Sequence, residues 1–177
     1  MPNHNESLES IVEQFSGREL PPVASWSPDH ERDIDMRIDA SGRWFYHGSA
    51  IERMRMVALF STILRRDGDD YSLVTPAEKL RIVVEDVPFV AQILDVSGSG
   101  TTQQLRFTDN VGNQFLADPD HRLWIEHGQN ESRPYVIVRD NLAALIARPV
   151  YYQLAELLVE TADGPGVHSG GVFFPLG

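Results

Sequence analysis

The sequence predicts an α+β fold built from two similar, β-rich lobes in tandem, with helices packed against them. Three observations lead to this prediction: alternating apolar and polar residues, turn residues between the alternating segments, and a motif that occurs twice. The alternation is clearest at Ile34, Met36 and Ile38, which are separated by charged residues and therefore predict a strand with one buried face. The chain has 177 residues, 42% of them hydrophobic, so it can form one sizeable core or two smaller ones.

The repeated motif pairs residues 73–82 with residues 116–125. When the two segments are superposed, a leucine, a proline, a basic residue, a second leucine and an isoleucine coincide. Further along, Pro88-Phe89-Val90 corresponds to Pro134-Tyr135-Val136. Strand–turn–strand units often reuse these residue types, so coincidence is the competing interpretation. We favour an internal duplication, which predicts a cleft where the two lobes meet.

Three regions are predicted along the chain. Residues 1–22 form an N-terminal helix and an extended arm, because apolar residues within 6–16 have helical spacing and the prolines that follow favour extended backbone. Residues 23–96 form a first α+β lobe, and residues 97–177 form a second one with C-terminal helices and a tail. The boundary falls at the glycine- and serine-rich start of the second region.

Within the first lobe, a hairpin leads into a helix that begins at Ser49. Ser49 and Glu52 have the spacing of a capping box, and two arginines fall in the predicted last turn before Gly68 ends the helix. A phosphate site at this helix start, with Arg53, is the weaker alternative because Glu52 would repel an anion. The other strands of this lobe are predicted over residues 33–39, 43–47, 71–74, 79–85 and 89–94.

In the second lobe, strands alternate with turns before two helices. The spacing of Leu142, Leu145 and Ile146 predicts a short helix, and Pro149 suits the first position of another. The tail from Gly164 onward is expected to fold back onto the lobe. The strands are predicted over residues 103–108, 113–117, 122–126 and 135–139.

Composition argues against several classes of partner. The net charge is −11, and a surface of that sign repels nucleic acid and anionic membranes. The chain has no cysteine, which excludes disulfides, thiolate metal sites and a cysteine nucleophile. Neither a signal peptide nor a membrane-spanning segment is evident, so we expect a cytoplasmic protein. A single small anion in a local pocket remains compatible with this charge, and no cofactor is expected.

Several motifs, among them Trp44–Ser49, Val84–Phe89 and Phe174–Gly177, resemble those of a family of uncharacterised bacterial proteins, the domain of unknown function 1285 (DUF1285). Ala50 is a departure, since proline is expected there, but it leaves the predicted helix start intact. The resemblance implies a duplicated α+β core whose second half is loosely like a pleckstrin-homology fold. It also implies a role in signal transduction and a site for a nucleotide-like ligand where the lobes meet, without an enzymatic activity. The matching segments are Trp44–Ser49, Arg53, Leu73–Pro76, Glu78-Lys79, Val84–Phe89, Pro134–Val136, Arg139, Ser169–Gly171 and Phe174–Gly177.

The candidate binding residues are arginines, acidic residues and aromatic residues drawn from both lobes. Arginine pairs with phosphate or carboxylate groups, and aromatic faces stack on rings. A network of salt bridges between the lobes would use the same residue types, so this alternative stays open. The candidates are Arg53, Lys79, Glu85, Asp86, Phe89, Tyr135, Arg139 and Arg148.

Three further hypotheses use other residues. An enzyme could employ Glu85, Asp86 or His47 as acid or base, although adjacent strand residues point to opposite faces. A metal site at His121 and His127 is conceivable but weakly indicated. A module that only binds proteins would use the apolar tail segment 172–174. No Gly-x-Ser-x-Gly or phosphate-binding-loop motif is present.

Overall fold

The computed structural model describes residues 19–177, which divide into two compact units, the first ending at Asp86 and the second beginning at Val87. Over these residues the chain is mostly β-structure with two α-helices. The tandem arrangement of two similar β-rich lobes is confirmed, because each unit contains a six-stranded sheet. The helix predicted at 6–16 lies outside the described residues.

The first unit contains one six-stranded sheet and one helix. Its strands lie in the order β3-β2-β1-β6-β5-β4, and β1 and β6 are parallel neighbours at the centre. Helix α1 (Met54–Thr62) connects β3 to β4. The strands are β1 (His30–Ile38), β2 (Trp44–Tyr46), β3 (Ser49–Ala50), β4 (Leu64–Asp67), β5 (Asp70–Val74) and β6 (Glu78–Val84).

Both the sheet and α1 contribute buried apolar side chains to the core of the first unit. Met36 and Ile38 from β1 are buried, as their alternation with charged residues predicts. Trp44 from β2 is buried and stacks on Phe60 of α1, with ring centroids 6.4 Å apart. Leu73 of β5 is fully buried in the same sheet. The contact between the Trp44 and Phe60 rings therefore joins α1 to β2.

The second unit contains a similar six-stranded sheet, a helix and a small third sheet. The six strands lie in the order β10-β11-β12-β7-β8-β9, with β12 and β7 parallel. Helix α2 (Arg148–Glu156) follows β12 and buries Val150 and Leu154. The strands of the large sheet are β7 (Phe89–Ser97), β8 (Gln104–Asp109), β9 (Gln114–Leu116), β10 (Leu123–His127), β11 (Ser132–Arg139) and β12 (Leu142–Ile146).

The two large sheets share one topology. In each, three antiparallel strands are followed by three more, and the first strand pairs in parallel with the last. Strands β7 to β12 therefore correspond to β1 to β6. The superposition of residues 73–82 on residues 116–125 is wrong, because the first segment spans β5 and β6 while the second spans the connection from β9 to β10. Similar turn and strand residues produced that match without structural equivalence.

The C-terminal tail folds back, as expected, into a three-stranded sheet. This sheet contains β13 (Val159–Thr161), β14 (Gly164–Ser169) and β15 (Val172–Pro175). Phe174 is buried, and the buried Ser169 hydroxyl donates to the carbonyl of Ala117 at 2.7 Å. The same oxygen accepts from the backbone N–H of Leu105 at 2.9 Å. The tail is thus part of the folded second unit.

The helix predicted to begin at Ser49 is wrong in its first and last parts. Ser49-Ala50 pairs with Phe45-Tyr46 as β3, across a turn at His47-Gly48 in which both residues have positive φ. The N-cap of α1 is Arg53, without a side-chain hydrogen bond, so neither the capping box nor the phosphate site at Ser49 exists. The arginines placed in the last turn lie in β4 instead, paired with β5.

The short helix predicted from Leu142, Leu145 and Ile146 is also wrong. These residues form β12, which is paired on both sides, with β11 and with β7. A five-residue apolar segment fits helical and strand spacing equally well, and pairing with two neighbours decides the outcome. The prediction of a helix beginning near Pro149 is confirmed by α2.

The glycine- and serine-rich segment at 97–102 lies inside the second unit. β7 continues to Ser97, and a 3₁₀ turn at Gly100–Thr102 leads into β8. The compact units instead divide at Asp86–Val87, directly after β6. The glycine and serine residues of this segment therefore form the connection between the paired strands β7 and β8. Within residues 19–177 no helix is both long and apolar enough to cross a membrane.

Candidate functional site

A pocket of about 220 Å³ lies in the second unit beside the first turn of α2. We call it the α2 pocket. Its volume is below the roughly 300 Å³ at which pockets for drug-sized ligands begin, so it suits a compact ligand or one end of a larger one. Its polar lining residues are Glu131, Ser132, Arg133, Arg148 and Tyr151, and its apolar ones are Pro134, Leu145, Ile146 and Ala147.

The β11–β12 hairpin brings the two sides of the α2 pocket together. Tyr135 pairs with Leu145 in antiparallel register. Because side chains two residues apart share a face, Arg133 and Ala147 lie on the same face at the open end of this hairpin. Helix α2 begins immediately afterwards, which places Arg148 at the pocket. The strand register thus positions two guanidinium groups that are 15 residues apart in sequence.

Positive and negative side chains both line the α2 pocket. Nη2 of Arg148 lies 3.8 Å from Oε1 of Glu131, and both side chains are largely exposed, at 74% and 68%. An exposed ion pair of this kind contributes at most about 1 kcal/mol. Arg133 is half-buried. An anion can therefore replace the Glu131 carboxylate at Arg148 at small cost.

The first turn of α2 adds backbone donors. The N-cap is Ala147, which has no side-chain acceptor, and proline occupies an early helical position. The N–H of Tyr151 donates to the carbonyl of Ala147 at 2.9 Å, and the N–H of Ala147 donates to Ala91. The N–H groups of Arg148 and Val150 have no acceptor within the helix, because first-turn groups lack a preceding carbonyl. The helix dipole also favours negative charge at this end.

A histidine supports one wall of the α2 pocket. Nδ1 of His127 lies 3.0 Å from the hydroxyl oxygen of Ser132, and the two residues are paired across β10 and β11. The hydroxyl is therefore held at the start of β11. His121, by contrast, places Nδ1 2.9 Å from Oδ1 of Asp118. The two histidines thus have separate partners, and no group of three metal-ligating side chains occurs within residues 19–177.

Four of the eight predicted binding residues lie in the first unit, at separate places. Arg53 is the exposed N-cap of α1. Lys79, at the start of β6, is paired with Asp67 at 3.2 Å and Glu31 at 3.5 Å. Glu85 follows the end of β6. At roughly 3.3 Å per strand residue, Lys79 and Glu85 are about 20 Å apart, so they do not share a site.

The acidic pair after β6 has structural partners. Glu85 accepts from Nη1 of Arg37 and from the backbone N–H of Ala40 at 3.0 Å. Asp86 lies near Tyr71, whose pKa is raised chiefly by burial and further by this carboxylate. Lys79 and Glu85 therefore form ion pairs with other residues of the first unit.

The carboxylate of Asp67 shows how strongly the first unit's ion pairs are engaged. Burial alone would raise its pKa, but hydrogen bonds from Lys79 and Arg65 outweigh burial and lower it. Nε of Arg65 lies 3.0 Å from Oδ2 of Asp67. The Arg65 guanidinium also donates to the carbonyls of Val23 and Trp26. The Arg65 and Asp67 side chains therefore stabilise the structure of the first unit itself.

The other four predicted residues lie in the second unit, also apart. Phe89 is fully buried, with the Arg139 guanidinium 5.4 Å above its ring. Tyr135 is buried and stacks on Trp124 at 5.5 Å. Arg139 lies at the turn end of the β11–β12 hairpin, whereas Arg148 lies beyond its open end. Of the four, the α2 pocket includes only Arg148.

Arg139 belongs to a buried polar cluster with Asp109. Burial raises the pKa of Asp109, even though the side chain and backbone of Asn113 and the backbone N–H of Val111 donate to it and Arg139 attracts it. Burial likewise lowers the pKa of Arg139. The carboxylate closes the turn between β8 and β9 through these hydrogen bonds. The cluster is explained by this structural role.

Most residues of the α2 pocket were missed by sequence reasoning. Ser132, Arg133 and Tyr151 had no recognisable motif, and β12 was taken as a helix. Recognising β11 and β12 as a hairpin would have placed Arg133 beside Ala147. The signal was present in the strand-forming run at 142–146 but was ambiguous.

The tandem, mostly β architecture defines the class of protein, and two family comparisons agree with its division. Residues 21–87 match the N-terminal domain of DUF1285, described as a domain of unknown function. Residues 88–176 match the C-terminal domain, described as a protein of unknown function. The chain belongs to the DUF1285 family.

Two solved structures are similar. A DUF1285 family protein from Silicibacter pomeroyi DSS-3 is 41% identical, with a TM-score of 0.88 over 96% of this chain and 93% of that one. A DUF1285 family protein from Shewanella baltica OS155 is 24% identical, with a TM-score of 0.55 over 68% of this chain and 90% of that one, and supports the fold alone. The search of curated proteins gave no match.

Proposed function

We propose that the protein is a ligand-binding regulatory module whose second unit holds a small anionic ligand in the α2 pocket. The observation that carries the proposal is the convergence of Arg133, Arg148 and the first turn of α2 on one pocket. Arginine recognises carboxylate and phosphate with charge-assisted hydrogen bonds. The Ser132 hydroxyl, held beside His127, supplies a further neutral hydrogen-bonding group.

The overall negative charge does not oppose this site at short range. The net charge is −11, but at physiological ionic strength charges farther than about 8 Å are largely screened. The groups that line the pocket therefore dominate, and they include two arginines and one carboxylate. Among them, Arg148 can pair with a carboxylate or phosphate group of the ligand.

The size of the pocket limits the ligand. About 220 Å³ accommodates a compact anion, or the phosphate end of a nucleotide-like molecule whose remainder extends outward. A ligand that binds only the native state stabilises that state. A regulatory role would depend on this difference between the bound and the free protein. The likeness of this unit to a pleckstrin-homology fold stays a prediction.

Calorimetric titration with inorganic phosphate, adenosine monophosphate and acetate tests the proposal. We expect at least one of these to bind and the variant Arg148→Gln to weaken it about fivefold, since an ion pair of this exposed side chain contributes up to about 1 kcal/mol. The matched control is Arg106→Gln, which removes an exposed arginine of β8 that does not line the pocket.

The control separates local from general electrostatics. Arg106→Gln should leave the affinity within about twofold, because an exposed charge away from the site is screened. An equal loss in both variants would contradict the proposal, since it would indicate attraction by overall charge. Absence of binding by every probe would contradict it as well.

A further inference from the structure

The α2 pocket carries a negative group that a simple anion does not use. Glu131 lines the same pocket as Arg133 and Arg148, and its carboxylate is 3.8 Å from the Arg148 guanidinium. An anion that takes Arg148 leaves this carboxylate without its partner and facing a like charge. A ligand with an adjacent positive group would satisfy both side chains.

We propose that the ligand is an α-amino acid with an aliphatic side chain, bound as the zwitterion; this rests on the proposed function. Its carboxylate pairs with Arg148 and the first-turn N–H groups of α2, and its ammonium pairs with Glu131. The ammonium and carboxylate groups of an α-amino acid are attached to the same carbon atom, and this short separation matches the closeness of the Glu131 and Arg148 side chains. Nothing in this arrangement requires a bond to form or break.

The apolar lining accounts for the side chain. Pro134 and Ile146 are buried, and Leu145 and Ala147 are partly covered, so the wall is aliphatic. Burying methylene groups against such a wall is favourable in proportion to the area removed from water. A pocket of about 220 Å³ has room for a residue the size of leucine, below the usual range for larger ligands.

Three probes of matched shape test the inference by calorimetry on the whole chain. They are L-leucine, 4-methylpentanoate, which lacks the amine, and 3-methylbutylamine, which lacks the carboxylate. We expect L-leucine to bind about fivefold more tightly than either, because each analogue loses one ion pair with an exposed side chain. In Glu131→Gln the advantage of L-leucine over 4-methylpentanoate should fall to about twofold or less.

The outcomes distinguish this inference from the proposed function. If 4-methylpentanoate or phosphate binds in an Arg148-dependent way while L-leucine binds no more tightly, the zwitterion is wrong and the anion site stands. If L-leucine binds and Glu131→Gln leaves its advantage unchanged, the role of Glu131 is wrong. If no probe binds, both proposals fail. Circular dichroism of Glu131→Gln controls for folding, and the exposed side chain makes unfolding unexpected.

Discussion

Replacing Ser169 by alanine should destabilise the second unit strongly, although Ser169 is a small residue far along the tail. Its hydroxyl is fully buried and bridges two backbone groups, accepting from the N–H of Leu105 at 2.9 Å and donating to the carbonyl of Ala117 at 2.7 Å. The substitution leaves both groups buried without that partner. Each unsatisfied group costs about 1–3 kcal/mol, which gives about 2–6 kcal/mol for the two, and relaxation of the sheet should reduce the loss to about 2–4 kcal/mol.

The surrounding sheet explains why the loss of stability should be smaller than the sum for two unsatisfied groups. Leu105 and Ala117 already share one bond, from the N–H of Ala117 to the carbonyl of Leu105 at 2.9 Å. In the variant these strands can move together and recover part of the loss. For a domain of 60–100 residues, 1 kcal/mol changes the melting temperature by roughly 4–8 °C, so we expect a decrease of roughly 10–30 °C.

Urea unfolding followed by tryptophan fluorescence measures this change, because Trp124 reports on the second unit. Ser97→Ala is the matched control, since Ser97 is an exposed serine of β7. It should change the free energy of unfolding by less than about 0.5 kcal/mol. A loss below about 1 kcal/mol in Ser169→Ala would refute the argument that this hydroxyl joins the tail to the sheet.

Three further predictions concern backbone conformation and buried charge. His47→Asn should stabilise the first unit by roughly 0.3–1 kcal/mol in thermal unfolding, because His47 has a φ of 49° in a tight hairpin turn that favours asparagine; destabilisation would contradict this. Gly170→Ala should cost roughly 2 kcal/mol more than Gly171→Ala in urea unfolding. Of these two positions, only Gly170 would bring a Cβ against the backbone, 2.7 Å from the Ala117 carbonyl oxygen, and equal losses would contradict the prediction. Burial raises the pKa of Asp109 in the folded state, so its contribution to the free energy of unfolding is most favourable below about pH 4 and diminishes as pH rises through the folded pKa. Asp109→Asn should remove that decrease from the pH profile of unfolding. An unchanged profile would contradict this prediction.

Strands with one buried face could be predicted from sequence. Met36 and Ile38 are buried and their charged neighbours are not, because one side of β1 faces the core. The strand predicted over 103–108 is likewise within one residue of its observed bounds, and every second residue of it is buried. Their alternation is a local property and needs no knowledge of the neighbouring strands.

Elements that depend on pairing could not be predicted. Ser49-Ala50 has a sequence suited to a helix start, but pairing with Phe45-Tyr46 makes it a strand. The segment 142–146 fits a helix locally, yet two neighbouring strands fix it as β12. Tertiary contacts outweigh local propensity in such short segments.

The candidate site was predicted only at Arg148. The other polar residues of the α2 pocket come from the start of β11, and their position follows from the hairpin register. The sequence predicts a helix over the residues of β12, and a helix there gives no strand register that would bring Arg133 beside the start of α2. The charged residues chosen instead, such as Lys79 and Glu85, are engaged in ion pairs within the first unit.

Backbone amide chemical shifts during titration test the anion site most directly. Inorganic phosphate and L-leucine are each added to the isotope-labelled chain, and the amides of residues 131–133 and 145–151 are followed. We predict saturable shifts that are largest at Arg148 and Val150, whose N–H groups have no acceptor within α2. If neither ligand produces saturable shifts there, or if the largest shifts fall in the first unit, the α2 pocket is not the binding site.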